Sequence, residues 1–240
     1  MVKMMLMLIL SMSLAFSANS TYILKAPLFG EVAEVKISHT TRGKKYNITL
    51  KLISKGLAKW KSGNRVETYT SKGRIIKGDY YADVYTVKQM FNNIKYLKTY
   101  TFDYKRKKIK RVYKKWKDGK LYSNESVYLK YFSHNDLMTI YHNIDQFASS
   151  GRIGNYRINA AGAERGGNGF RFLLPNASET KKRFKSQNMS GKSAMILSLR
   201  RTYLKRGRGE IIFIIDENKV AKKVTLTNVK YVGTLRAYRK

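Results

Sequence analysis

From Ala33 onward much of this chain alternates between apolar and polar residues with a period of two, a pattern suited to strands half-buried in a sheet. Ala33, Val35 and Ile37 share one side of such a strand, and Glu34, Lys36 and Ser38 share the other. Tyr46, Ile48, Leu50 and Leu52 alternate in the same way with Asn47, Thr49 and Lys51. Between the two runs, Thr40-Thr41-Arg42-Gly43-Lys44 reads as a hairpin connection. Arg65 to Ser71 predicts a strand leading to a turn at Lys72-Gly73. Tyr100, Phe102 and Tyr104 line one side of a further strand; Lys105 to Lys108 form a basic tip, and the chain returns through Ile109, Val112 and Tyr113. Asp118-Gly119 marks another hairpin, before Tyr122 to Tyr131.

A helical period is clear at one place. Leu137, Ile140, Tyr141 and Ile144 fall on one stripe, and Ser133-His134-Asn135-Asp136 opens it with a capping-box-like pattern. A second helix is expected near Val87 to Leu97. Strands then return: Tyr156 to Ala161 and Phe170 to Leu174 flank a glycine-rich connection, Gly162 to Gly169. Ser193 to Arg201, Glu210 to Ile215 and Val220 to Val229 follow, with Asp216 to Lys219 as a turn. Ile211 to Ile215 is apolar on both sides and belongs centrally in a sheet or against the helix. Abundant Tyr (18) and Phe (10) with only 2 Pro favour strands over disorder. No Pro- or Ser-rich linker divides the chain. The expected fold is therefore one mainly β domain over residues 21–240: a strongly curved antiparallel sheet, or open half barrel, with one or two packed helices.

The first 20 residues read differently. Lys3 precedes an apolar run, Met4 to Phe16, and small residues follow in Ala15-Phe16-Ser17 and Ala18-Asn19-Ser20. This predicts a signal peptide over residues 1–20, cleaved after Ser17 or Ser20, and hence a periplasmic protein with no transmembrane anchor in the mature chain. Cysteine is absent, which excludes disulfides, thiolate metal sites and cysteine nucleophiles. The balance of 49 basic against 15 acidic residues, net +34, attracts polyanions such as anionic lipid headgroups or envelope polymers. Export argues against nucleic acid as the partner. The basic residues are spread along the chain and mostly alternate with apolar ones, which also fits a solvated charged face.

Motifs for chemistry are sparse. Gly191-Lys192-Ser193 resembles the end of a phosphate loop, but Ser186 stands where that loop needs glycine. His39, His134 and His142 show no metal-ligand spacing; they read as one strand histidine, one at the helix start and one on the helix surface. Glu67, Asp79, Asp83, Asp103 and Asp136 are isolated acids, expected to pair with nearby cations or to cap turns. No catalytic residue, metal or cofactor is expected. The densest cationic segment, Tyr104 to Trp116, interleaves basic and aromatic residues; it suits either an anionic partner or an exposed hairpin packed through Ile109, Val112 and Tyr113.

The order of features resembles an exported bacterial family catalogued as domain of unknown function 3108. The matching stretches are Phe29-Gly30-Glu31-Val32-Ala33-Glu34, Gly56, Glu67-Thr68-Tyr69-Thr70-Ser71-Lys72-Gly73, Gly78, Tyr100-Thr101-Phe102-Asp103, Asn135 to Tyr141, Asn228-Val229 and Gly233. The resemblance implies a periplasmic, β-rich protein with a distant likeness to half-barrel lipid and lipoprotein carriers, and it brings no catalytic residues. The expected function is non-catalytic binding of an amphiphilic or anionic envelope component, a lipid or glycan, with Arg65, Glu67, Tyr69, Arg165 and Arg171 as ligand-binding residues. Two rivals are an envelope structural or protein-interaction role, and a hydrolase bringing together two of Glu67, Asp103, His134 and Asp136.

Overall fold

A computed structural model describes residues 19–149, 153–163, 169–186, 193–200, 205–215, 221–230 and 233–240. Fourteen strands form a single antiparallel sheet, curved and unclosed. They are β1 (Asn19–Ala26), β2 (Gly30–Arg42), β3 (Lys45–Ser54), β4 (Val66–Ile76), β5 (Asp79–Phe91), β6 (Ile94–Asp103), β7 (Lys108–Lys117) and β8 (Lys120–Tyr128), then β9 (Gly154–Asn159), β10 (Gly169–Leu174), β11 (Ser193–Arg200), β12 (Arg208–Ile215), β13 (Ala221–Val229) and β14 (Gly233–Arg239). Helix α1 (Gly56–Lys61) sits between β3 and β4, α2 (Thr139–Ser149) between β8 and β9, and α3 (Ala177–Ser186) between β10 and β11.

The strand order is β8-β7-β6-β5-β4-β3-β2-β1-β14-β13-β12-β11-β10-β9. Two meanders therefore meet where the first strand pairs with the last, at Leu24↔Ala237, and the two sheet edges, β8 and β9, are joined by the α2 crossover. The alternation read from sequence holds. Val35, Ile37, Ile48, Leu50 and Leu52 all turn to the inner face and are buried, as are Tyr22, Tyr69, Tyr85 and Tyr100. Each fully buried Leu or Ile side chain contributes about 1.5–3 kcal/mol by leaving water. Ile211 to Ile214 is buried on both faces, as its composition predicts: Phe213 meets Tyr141 of α2 inside, and Ile214 meets Phe184 of α3 outside. No helix among the described residues is long and apolar enough to cross a membrane.

Helix α2 starts three residues later than the Ser133–Asp136 pattern places it, with Asp136 rather than Ser133 as the cap and Thr139 as its box partner. The Asp136 carboxylate accepts the amides of Met138 (2.7 Å) and Thr139 (2.9 Å), and the Thr139 hydroxyl accepts the Asp136 amide (2.9 Å). Leu137, Ile140, Tyr141 and Ile144 are buried, as their spacing requires.

Three further expectations are corrected. Val87 to Leu97 is not a helix but the end of β5, a turn at Asn92-Asn93 with Asn92 left-handed (φ 48°), and the start of β6; Val87, Gln89 and Phe91 alternate, and pairing with β4 outweighs local helix propensity. Lys72-Gly73 is not a turn but a bulge within β4, the turn coming later at Lys77-Gly78. Glycine is needed there because a Cβ at residue 73 would lie 2.0 Å from the Tyr81 carbonyl oxygen. His142 lies not on the helix surface but buried beneath α2. The Gly191-Lys192 and Asp216 to Lys219 readings lie outside the described residues.

Candidate functional site

The strand register carries two rows of side chains across the inner face. Glu67, Gln89, Tyr96, Lys115 and Ser123 are cross-strand partners in one row. Tyr69, Val87, Lys98, Tyr113 and Glu125 form the next. Burial grades along them: Glu67 and Tyr69 are buried, Tyr96, Lys98, Tyr113 and Lys115 half-buried, and Glu125 exposed. The inner face is thus a packed floor at β4 that opens toward β8.

Aromatic rings and cations interleave on this opening. Phe91 stacks on Tyr96 (centroids 5.5 Å apart) and Tyr96 on Tyr113 (6.0 Å). Lys115 Nζ lies 5.7 Å from the Tyr96 ring and 4.5 Å from that of Tyr122, and Lys98 Nζ lies 5.8 Å from Tyr113. Arg65 Cζ sits 4.6 Å from the Phe91 ring. Each such pairing holds a cation over a negative ring face. Ile109 and Tyr113 share this inner face, whereas Val112 is on the outer one.

Beneath the ladder lies a closed polar network. The Glu67 carboxylate accepts hydrogen bonds from Arg65 Nε and the Tyr69 hydroxyl, with Gln89 Nε2 at 3.4 Å. Burial pushes the Glu67 carboxyl above its ordinary range, against the pull of the Arg65 charge and these donors. Burial and the neighbouring Glu67 raise the Tyr69 hydroxyl well above the usual tyrosine value. Arg65, Glu67 and Tyr69, named from sequence, are therefore brought together, but as a floor satisfied within itself. Arg171 is exposed on the outer face of β10, facing away from the ladder. Arg165 lies outside the described residues.

A second polar cluster lies under α2. Ser71 donates to Asp136 and meets the Tyr46 hydroxyl at 3.0 Å. His142 stacks on Tyr80 (4.4 Å) beside His39 (4.8 Å). Burial raises the Asp136 carboxyl to about 6; burial, then the nearby His39, lowers His142 to about 3. The four residues of the hydrolase reading each have other partners: Glu67 as above, Asp103 with Arg106, His134 with Asn135 and Tyr81, Asp136 with Ser71 and α2. Among the described residues no group of three His, Cys, Asp or Glu could hold a metal ion.

The residues missed from sequence are Gln89, Phe91 and Tyr96, inside the stretch read as a helix, and Lys98 just beyond it; the Asn92-Asn93 turn was the available signal. Helix α3 was also missed. Its start is marked by a capping box, Asn176 Oδ1 accepting the Glu179 amide (2.8 Å) and Glu179 accepting the Asn176 amide (3.2 Å).

The chain is similar to the crystal structure of a β-barrel-like protein of domain of unknown function DUF1849 from Brucella abortus, with a TM-score of 0.54 over 92% of this chain and 94% of that one, at 10% identity. At that identity the likeness is one of fold. No protein-family model matches the chain, and no curated protein matches it.

Two predictions follow from the polar clusters. Arg65→Met leaves Glu67 buried without its cation and is expected to cost about 3–5 kcal/mol in urea denaturation, most of it regained in Arg65→Met/Glu67→Leu; equal losses in both variants would refute the pairing. Asp136 ionises near 3.8 when unfolded and near 6 when folded, so the native state holds the extra proton between those values. Its contribution to stability is full below the lower value and is lost as pH rises through about 6. His142, lowered from 6.5 to about 3, acts oppositely: its contribution is present above 6.5 and lost as pH falls toward about 3. Asp136→Asn keeps the cap but removes one of these terms. Its stability relative to the native protein should rise by up to about 3 kcal/mol from about pH 4 to about pH 6; a flat difference in the same denaturation series would count against a protonated Asp136.

Proposed function

We propose that this is an exported, non-catalytic protein of the cell envelope that binds an anionic amphiphile, in the first instance a lipid, along the open inner face of β5 to β7. The observation that carries this reading is the half-exposed ladder of stacked Phe91, Tyr96 and Tyr113 with Lys98 and Lys115 held over the rings. The rings offer apolar surface to a chain while the ammonium groups meet an anionic headgroup. The Arg65–Glu67 pair below is charge-balanced, so the ladder's lysines supply the positive charge facing the ligand.

Export rests on Lys3 and the apolar run from Met4 to Phe16. The pairing Asn19↔Ser38 supports cleavage after Ser17, since cleavage after Ser20 would strip two residues from β1. N-terminal sequencing of the exported chain should therefore begin at Ala18; a start at Thr21 would contradict this. Membership of the family of domain of unknown function 3108 belongs to the same proposal, supported by the diffuse sequence likeness and a β-barrel-like fold.

The ligand reading is tested by calorimetric titration with short-chain, soluble dihexanoyl phosphatidylglycerol and its phosphatidylcholine counterpart. The anionic lipid is expected to bind more tightly, and Lys98→Gln/Lys115→Gln to weaken it by roughly 30-fold, at about 1 kcal/mol per lysine. Equal binding of both lipids, or an unchanged affinity in the variant, would refute it. If neither lipid binds, the second reading gains. Strand β8 is exposed along nearly its whole length and has no partner on its outer edge among the described residues, so an extended segment of another protein could pair there.

A further inference from the structure

The exposed large apolar side chains carried on connections between strands of the first meander lie at one end of the sheet. In the first meander the connections β1–β2 (27–29), β3–β4 (55–65), β5–β6 (92–93) and β7–β8 (118–119) lie at the same end. Hydrogen bonds knit them into one surface: the Lys55 amide to the Val32 carbonyl (3.0 Å), the Asn92 amide to Gly63 (2.7 Å), and the Asp118 amide to Asn93 (3.0 Å). The contact at Gly63 is close enough that a Cβ there would fall 1.8 Å from the Asn92 side-chain oxygen. The α1 connection is therefore held in place rather than dangling.

This surface carries six of the eleven exposed large hydrophobic residues among the described residues: Leu28, Leu57, Trp60, Met90, Leu121 and Tyr122. Helix α1 buries Ala58 and turns Leu57 (57% exposed) and Trp60 (79%) to solvent, and Leu28 (79%) is exposed in the β1–β2 turn at the same end. Lys59 and Lys61 occupy its last turn, and Lys117 and Lys120 flank the β7–β8 turn. The acids nearby are largely neutralised, Glu31 by Lys25 and Glu34 by Lys55 and Lys36; Asp118 is the remaining one. The opposite end, with its turns at 43–44, 77–78 and 104–107, has charge as well, but the first meander's exposed large apolar residues there, Ile76, Val127 and Tyr128, all lie within strands rather than on the connections. Charge is thus general to the molecule; within the first meander, exposed large apolar groups carried on the connections beside lysines are particular to this end.

We propose that this end docks on an anionic bilayer. Trp60 and Leu57, with Leu28 at the same end, enter the headgroup region, where an indole is favoured over both water and hydrocarbon, while Lys59 and Lys61 meet anionic headgroups. The bilayer is the chosen occupant because the patch is cationic around its apolar centre. Arg65 and Phe91 stand just inside the same end, so docking would place the mouth of the inner ladder against the lipid. The docking itself does not depend on that ladder binding a ligand.

The test uses the mature chain carrying Trp116→Phe, which leaves Trp60 as the sole tryptophan, and vesicles of phosphatidylcholine with or without phosphatidylglycerol. With phosphatidylglycerol, Trp60 emission should shift to the blue and be quenched by brominated acyl chains. Leu28→Gln/Leu57→Gln, both at exposed positions, should bind at least tenfold more weakly with unchanged circular dichroism. Lys98→Gln/Lys115→Gln should keep the full Trp60 response, so loss of ligand binding at the ladder is read separately from loss of docking. Binding without quenching would assign the association to net charge alone and overturn the proposal. So would no vesicle response, or an undiminished one in Leu28→Gln/Leu57→Gln.

Discussion

A single buried carboxyl joins the parts of this fold that would otherwise be independent. Asp136 accepts a hydrogen bond from Ser71 of β4, caps α2 through the amides of Met138 and Thr139, and pairs through its backbone with Ala161 just after β9. Around it the crossover is sewn to both sides. The Tyr131 hydroxyl donates to the Ala160 carbonyl, the Ala161 amide to Asn135, and Asn143 meets both backbone groups of Tyr80 on β5. A charged carboxylate in such a place would lack the water it needs, which is why burial raises its proton affinity.

The open face follows from this anchoring. Because the first and last strands pair in the middle of the sheet, the two edges must be linked by the α2 crossover. The helix lies against the inner face, where Leu137, Ile140, Tyr141 and Ile144 complete the core with Phe213. The rows from Glu67 to Ser123 and from Tyr69 to Glu125 lie beyond it, toward the end where α1 sits, and their outer members stay part-exposed. Aromatic side chains suit such a boundary, since rings pack on one another without an overlying layer.

The positive charge has two settings in this frame. On outward-facing positions it is solvated and alternates with the core, as the spacing of Lys36 and Lys51 between buried residues shows. On the inner ladder and around α1 it sits beside aromatic or exposed apolar groups, where a cation and a ring or chain can meet one ligand together. The net charge of +34 does not separate these settings; only neighbours do.

The alternation of Val35, Ile37, Ile48, Leu50 and Leu52 and the stripe from Leu137 to Ile144 determined a curved antiparallel sheet with a helix against it, because burial on one side imposes a period on any chain. Arg65, Glu67 and Tyr69 were likewise legible as a set, being successive inward positions of one strand. Their partners were not. Gln89, Phe91, Tyr96 and Lys98 face them only through the β4–β5–β6 register, and a stretch able to form either helix or strand is settled by the strands beside it. His142 went inside for the same kind of reason: a helix has a polar side only until a second surface covers it. Local periodicity thus decided which residues turn inward, and tertiary pairing decided which of them meet, because contact between distant segments depends on register and closure that no local pattern encodes.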